Sequence, residues 1–338
     1  MGCSPGPACT VEGTTVKIAG VEGDGIGREV IPPTRDLLEI LRPDFEFFPV
    51  DVGYGKWERT GQAMGSDDVA LLASADAILF GAITTPPAPD YKSVIVRIRK
   101  ELDLYANIRP VKGPGVDIIV VRENTEGLYS GIEKIEEDTA CTVRCITRKG
   151  SERISRYACR LAGQRRDMTI GHKANVLKSD VFFRDICIAE AGKANVPVKE
   201  CYIDALCLDV LMHPEKYDII VTTNLFGDIL SDVAAYLVGG LGLLPSGNIG
   251  EKHALFEPVH GSAPDIAGRD RANPVAAMRS AALLLSHVGD QEGAGLMEQA
   301  IQDTFSKGIR TRDLGGMAGT RAFAGHVRQE LIRLAGKR

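Results

Sequence analysis

Residues 217–232, Tyr217-Asp218-Ile219-Ile220-Val221-Thr222-Thr223-Asn224-Leu225-Phe226-Gly227-Asp228-Ile229-Leu230-Ser231-Asp232, change their hydrophobic period part-way. Tyr217–Val221 is β-branched and mostly apolar and reads as a buried strand; beyond Thr222-Thr223 the pattern lengthens to that of a helix. On that helix Asp228 and Asp232 are four apart, one turn above the other on one face. Like charges at this spacing repel by roughly 0.2–0.5 kcal/mol. Apolar neighbours raise the cost of leaving both carboxylates unpaired. A hard divalent cation such as Mg²⁺ or Mn²⁺ would remove the conflict. A solvated acidic turn, or a carboxylate pair favoured by the helix dipole, explains the pattern equally well at this point.

Upstream, Cys201-Tyr202-Ile203-Asp204-Ala205 repeats the pattern and makes Asp204 a third candidate carboxylate. Met168-Thr169-Ile170-Gly171 runs into His172-Lys173-Ala174-Asn175. A lysine just after a buried strand can have its pKa lowered for acid–base work, although a lysine snorkelling from an edge looks the same. Arg109, within Tyr105–Pro110, and Arg122, after Val116–Val121, sit at strand-like positions. A guanidinium there takes an anionic partner, grips a carboxylate bidentately, and is a structural ion pair or a ligand site. Ser93 is a candidate N-cap for a helix reaching about Leu104, on which Ile95 and Arg99 share a face. Residues 133–150 alternate as strands and suit an extended arm, followed by an amphipathic helix over 151–165.

Val16–Val21 is a first strand, and Gly23, Gly25 and Gly27 follow in a G-x-G-x-G loop. Position 28, where the third glycine of the dinucleotide fingerprint belongs, is Arg, so that fingerprint is rejected in favour of a tight loop. Ala75–Ala82 is another buried strand, ending in the polar Thr84-Thr85-Pro86-Pro87. Downstream, the Gly-rich 238–250 leads to residues 254–274, a loop rich in Gly, Pro and Asp able to wrap a flat ligand with its amides. An Asp in such a loop accepts both ribose hydroxyls and repels a 2′-phosphate, the logic of NAD over NADP. Residues 275–338 read as three helices.

The net charge of −5 over 338 residues argues against a nucleic-acid partner. No run reaches the ~20 apolar residues of a membrane span. Residues 1–14 carry no signal-peptide pattern and read as a disordered tail. The eight cysteines show no zinc-type spacing and are expected to be reduced thiols of a cytoplasmic protein.

Seven ordered stretches resemble the metal-dependent β-decarboxylating dehydrogenases, the isocitrate, 3-isopropylmalate, homoisocitrate and tartrate enzymes. They are VEGDGIG (21–27), LYANIRP (104–110), VVRENTEGLYSG (120–131), HKANVLK (172–178), the Asp of YIDA (202–205), TTNLFGDILSD (222–232) and FEPVHGSAPDIAG with ANP (256–274). The resemblance covers roughly 15–338. It implies an α/β fold of the isopropylmalate-dehydrogenase type, not Rossmann: a large mixed sheet flanked by helices, two domains and an interdomain cleft. It also implies a discontinuous cofactor-side domain (15–104 plus 239–338), a dimerisation and metal/substrate domain (105–238) with its β arm near 133–150, and a homodimer with shared active sites. Carried over by position, Arg99, Arg109 and Arg122 would hold malate carboxylates. Asp228 and Asp232 would bind Mg²⁺ or Mn²⁺, with Asp204 from the neighbouring subunit. Lys173, also from the neighbour, would take the hydroxyl proton, Tyr129 would protonate the enol, and Asn175 would line the site. His260, Gly261, Ser262, Ala263, Pro264, Asp265, Ile266 and Asn273 would clasp NAD, since NADP-dependent members place Lys-Tyr where Asp265-Ile266 stands.

Two departures from the pattern are visible. Arg109 and Arg122 are closer in sequence than in many relatives, which trims a surface connection. Ser93 resembles the isocitrate and homoisocitrate branches, where its hydroxyl faces a distal carboxylate, whereas Ile95 replaces the Asn of isocitrate enzymes. With YKSVIVRIRK (91–100), AITTPPAPD (82–90) and TRKGSER (147–153), these features point to a homoisocitrate-type hydroxy-tricarboxylate. 3-Isopropylmalate and isocitrate are the alternatives. A non-catalytic regulatory subunit is the alternative of another class; such subunits are expected to lose Lys173, Tyr129 or one of the three Asp, and none is missing.

Overall fold

The computed structural model describes residues 15–88, 91–163, 165 and 167–336; the predicted tail lies outside them. The described strands are, in chain order, β1 (Lys17–Val21), β2 (Glu46–Pro49), β3 (Ala77–Phe80), β4 (Ala106–Gly113), β5 (Val116–Glu123), β6 (Glu133–Ile135), β7 (Ala140–Thr142), β8 (Met168–His172), β9 (Val198–Tyr202), β10 (Ile219–Thr222), β11 (Pro245–Ile249) and β12 (Ala254–Pro258). All but β6 and β7 join one ten-stranded sheet, ordered β2-β1-β3-β12-β11-β4-β5-β10-β8-β9. The sheet is mixed: β4 and β5 pair antiparallel, whereas β1–β2, β1–β3, β3–β12, β5–β10, β10–β8 and β8–β9 are parallel. Parallel strands demand cover on both faces, and helices between the strands provide it.

The chain divides into two compact units: residues up to Ile98 with Leu241–Gly247 and Lys252 onward, and Arg99–Gly240 with Asn248–Glu251. In the first, β1 and β3 are almost wholly buried, and the C-terminal helices Val275–His287, Gln291–Ser306 and Thr320–Ala335 contribute the fully buried Leu284, Leu285, Met297 and Phe323. In the second, strand period decides what each face carries. Ile108, Val121, Ile219, Val221, Met168 and Ile170 share an apolar core with Ile154, Phe183 and Cys187 from the helices Arg148–Ala162 and Lys178–Ala194. Each such side chain withdrawn from water contributes about 1.5–3 kcal/mol. The alternate residues of β4 and β5, Asn107, Arg109 and Arg122, belong to the opposite face.

Five readings require correction. The arm is confined to β6 and β7, an exposed antiparallel pair, and the next helix begins at Arg148 because Thr147 caps it by accepting from Gly150 N. The expected 151–165 helix is therefore shifted by three residues, and the 133–150 arm is shorter than its alternation implied. The helix after Ser93 spans Val94–Glu101 and stops before Leu104, with Asp103 left-handed at φ 46°. The Gly-rich 238–250 contains the internal strand β11, whose proline is its first residue, where no interior ladder donor is lost. The 254–274 loop likewise opens with β12.

Candidate active site

The short connection between Arg109 and Arg122 fixes the register that joins them. Pro114-Gly115 turns the chain, Gly115 at φ 74°, so that Asn107 pairs with Arg122 and Arg109 with Val120. Parallel pairing then sets Thr222 beside Arg122 and delivers the helix Asn224–Ala235 above β5. That helix approaches closely: a Cβ on Gly227 would stand 2.7 Å from Arg122 Cβ and 2.8 Å from its Cγ. Asn224, at the start of the helix, accepts from Arg122 Nε and Nη2 at 3.0 and 2.7 Å and donates to Glu126 O.

Asp228 is the focus. Arg122 Nη1 donates to its Oδ1, Arg109 Nη2 lies 3.2 Å from the same oxygen, and Tyr129 OH donates to Oδ2 at 2.9 Å. Arg109 is aimed by Asn107 Oδ1 at 2.9 Å and Ser231 Oγ at 2.6 Å, and reaches Asp232 Oδ1 at 3.5 Å. Burial, then the charges of Arg109 and Arg99, push the Arg122 guanidinium down to about 9. Burial resists ionisation of Asp228, but Arg122, Arg109 and the Tyr129 hydroxyl outweigh it and hold its carboxyl below the ordinary value. Burial and the neighbouring Asp228 raise Asp232 despite Arg109. Burial and the Asp228 charge also raise Tyr129, keeping its phenol protonated. Three guanidiniums therefore face two carboxylates and one phenol. The hard oxygens of Asp228 and Asp232, and the upward pull of the Asp228 charge on Asp232, fit a divalent cation. Among the described residues no group of three metal-ligating side chains converges.

A second cluster stands at the end of β8. Lys173 Nζ donates to Asp204 Oδ1 at 2.6 Å, and this bond, first among the causes, lowers the Asp204 carboxyl. Asp204 lies in the first turn of the helix Ile203–Met212 and Asn175 is exposed. The structure thus gathers Arg109, Arg122, Tyr129, Asp228 and Asp232, and pairs Lys173 separately with Asp204.

In the other unit, the carboxyl ends of β1, β3 and β12 meet. Asp24 accepts from Tyr54 N, Gly55 N and Thr84 N at 2.8, 2.9 and 3.0 Å, Thr84 Oγ1 donates to Ser262 Oγ at 2.7 Å, and Ile26 N donates to Ser262 O. A Cβ on Gly25 would stand 2.0 Å from Ser262 O, so the glycine loop serves close backbone approach to the predicted cofactor segment. Within that segment Ala263 is at φ 37°, Gly261, Pro264 and Asp265 are exposed, and Ile266 N closes a turn onto Ala263 O. Burial lowers His260. Asn273 accepts from Val275 N at the start of the helix Val275–His287 and donates to Asp313 Oδ2, so part of its polarity is structural.

The family profile described as isocitrate/isopropylmalate dehydrogenase matches residues 17–327. The chain belongs to that family. As an isocitrate/isopropylmalate dehydrogenase family member it is a β-decarboxylating oxidoreductase of small hydroxy acids. It is similar to the isocitrate/homoisocitrate dehydrogenase of Thermus thermophilus, at 47% identity over 332 residues, 94% of this chain and 99% of that one. The 3-isopropylmalate/3-methylmalate dehydrogenase of Methanocaldococcus jannaschii is 46% identical over 328 residues, 92% and 97% of the two chains. The crystal structure of isocitrate dehydrogenase from Methylococcus capsulatus superposes with a TM-score of 0.90 at 38% identity, covering 94% of this chain and 99% of that one. No helix among the described residues is long and apolar enough to cross a membrane.

Several residues that build these clusters escaped the sequence reading. Asn107 shares Arg109's face by strand period, and Ser231 and Asn224 share the Asp228 face by helical spacing, so periodicity applied to polar residues would have found them. Asp24 has no such signal, because its three amide donors come from a helix start and a loop remote in sequence.

Proposed function

We propose that the chain catalyses NAD-dependent, divalent-metal-dependent oxidative decarboxylation of a 3-substituted malate, with homoisocitrate-type substrates preferred. The convergence of Arg109, Arg122 and Tyr129 on Asp228 carries this reading. Arg99, Arg109 and Arg122 bind the substrate carboxylates, guanidinium forks matching that anion bidentately. Asp228 and Asp232, with Asp204 of a second copy, would hold Mg²⁺ or Mn²⁺. When bound, the ion would supply Lewis acidity at the substrate's hydroxyl end and NAD would supply the hydride acceptor. Both arginines bond Asp228 here; a cation sharing that carboxylate would free their charge for substrate. Lys173, from the same second copy, accepts the hydroxyl proton, and Tyr129, held protonated, delivers a proton to carbon after CO₂ leaves.

The segment His260–Ile266 with Asn273 holds the adenosine, and exposed Asp265 favours NAD by accepting ribose hydroxyls. Ser93 and the half-buried Ile95 set the substituent: a hydroxyl for a distal carboxylate beside an aliphatic surface for a methylene spacer. The same Ile95 suits an isopropyl group, which makes 3-isopropylmalate the second substrate. A kcat/KM panel of homoisocitrate, 3-isopropylmalate and isocitrate, each with NAD and NADP, tests the proposal. The highest value is expected for homoisocitrate with NAD; a preference for isocitrate with NADP overturns the roles given to Ile95 and Asp265.

A further inference from the structure

The turn that carries Lys173 is held by side chains through its backbone. Lys173 N donates to Asp180 Oδ2 at 2.7 Å, and Ala174 N donates to His172 Nδ1 at 3.2 Å. Val176 N and Leu177 N then close onto Lys173 O. The first two amides of the turn are thus fixed by a carboxylate and an imidazole, and with them the direction in which Lys173 leaves the backbone. Asp180 is fully buried and anchored by Arg144, so one support is rigid. His172 is 2% exposed, packed edge-on against Tyr202 at 5.5 Å.

An amide N–H can only donate, so the Nδ1 it meets must be an unprotonated acceptor and the ring proton must sit on Nε2. Glu200 Oε2 lies 3.4 Å from Nε2, off the axis of a hydrogen bond, and Arg184 lies 3.5 Å from that carboxylate. Nothing in this surrounding compels a proton onto Nδ1, where it would confront the Ala174 N–H.

We propose that His172 is a positioning residue for Lys173: as the neutral Nε2–H tautomer it accepts the Ala174 amide and locks the Lys173–Ala174 turn. The proposal rests on the reading of Lys173 as the proton acceptor. His172 touches no reacting atom; it acts on the reaction through the geometry of Lys173.

The test compares His172→Phe, which keeps a ring and loses the acceptor, with His172→Asn, whose amide oxygen reaches the place of Nδ1, and with Lys173→Ala. Steady-state kcat and KM are measured on the full-length enzyme with homoisocitrate, NAD and Mg²⁺. His172→Phe is expected to lower kcat by about tenfold or more while KM for both substrates stays within about threefold, and His172→Asn to restore kcat to within about threefold of the parent. Unchanged kcat in His172→Phe, or equal impairment in His172→Asn, overturns the proposal. If His172→Phe fails to fold, His172→Gln replaces it, because its amide reaches the place of Nε2 instead; Gln performing as well as Asn overturns the proposal. Normal turnover in Lys173→Ala defeats the reading of Lys173 itself, whereas lost turnover there beside an unaffected His172→Phe defeats the positioning role alone.

Discussion

Replacing Gly227 by alanine should disable the paired arginines while leaving the fold in place. The added Cβ would lie 2.7 Å from Arg122 Cβ, 2.8 Å from Cγ and 3.2 Å from Cδ, so the helix or the arginine must shift by roughly 1 Å to reach ordinary contact. Arg122 is 1% exposed and bonded to Asn224 and Asp228, so it has no free direction. Overpacking of this kind costs about 1–3 kcal/mol, and the helical preference of Ala over Gly returns about 1, leaving a net loss of roughly 0–2 kcal/mol. A melt followed by circular dichroism should therefore fall only a few degrees. Catalysis should suffer far more, because a displacement of about 1 Å in a positioned group can cost ~10²-fold. The assay is kcat/KM for homoisocitrate at saturating NAD and Mg²⁺, beside the melt. Activity within about threefold of the parent, with the melt unchanged, would refute the claim that close helix approach aims Arg122.

Metal removal should act on substrate binding as well as on turnover. With EDTA, turnover should vanish, and titrating Mg²⁺ back should lower KM for the hydroxy acid, since Asp228 then ceases to monopolise Arg109 and Arg122; a KM independent of Mg²⁺ contradicts this coupling. Tyr129→Phe should retain hydride transfer from substrate and lose product protonation, seen as a fall in kcat of about 10²-fold with little change in KM. Burial holds His253, His260 and His287 below the ordinary 6.5, so the native chain refuses protons that the unfolded chain binds below that pH. Stability is then full above pH 6.5 and declines as pH falls beneath it, and His260→Gln should flatten that decline in melting temperature. Asp265→Asn should narrow the ratio of NAD to NADP in kcat/KM, and an unchanged ratio removes Asp265 from cofactor choice.

Local chemistry was legible in the residues because it depends on near neighbours in sequence. The switch from strand to helix across Tyr217–Asp232, the shared face of Asp228 and Asp232, and the placement of Lys173 just past a buried strand all follow from periods of two and 3.6. The ordered motifs carried the reaction class, and the loss of the third glycine at Arg28 excluded the Rossmann fingerprint. Strands β11 and β12 were hidden because glycine and proline mask them and their outer neighbours, β4 and β3, lie far back in the sequence, and the Arg148 helix start depended on a single capping threonine.

By itself the sequence determined which charges the molecule owns and the local element on which most of them ride. Tertiary structure decided which of them meet. The Pro114-Gly115 turn brings Arg109 beside Arg122, parallel pairing with β10 brings Asp228 above them, and the bare Cα of Gly227 permits the approach. Electrostatic coupling falls with distance and rises with burial, and both are properties of strand register and packing rather than of residue order.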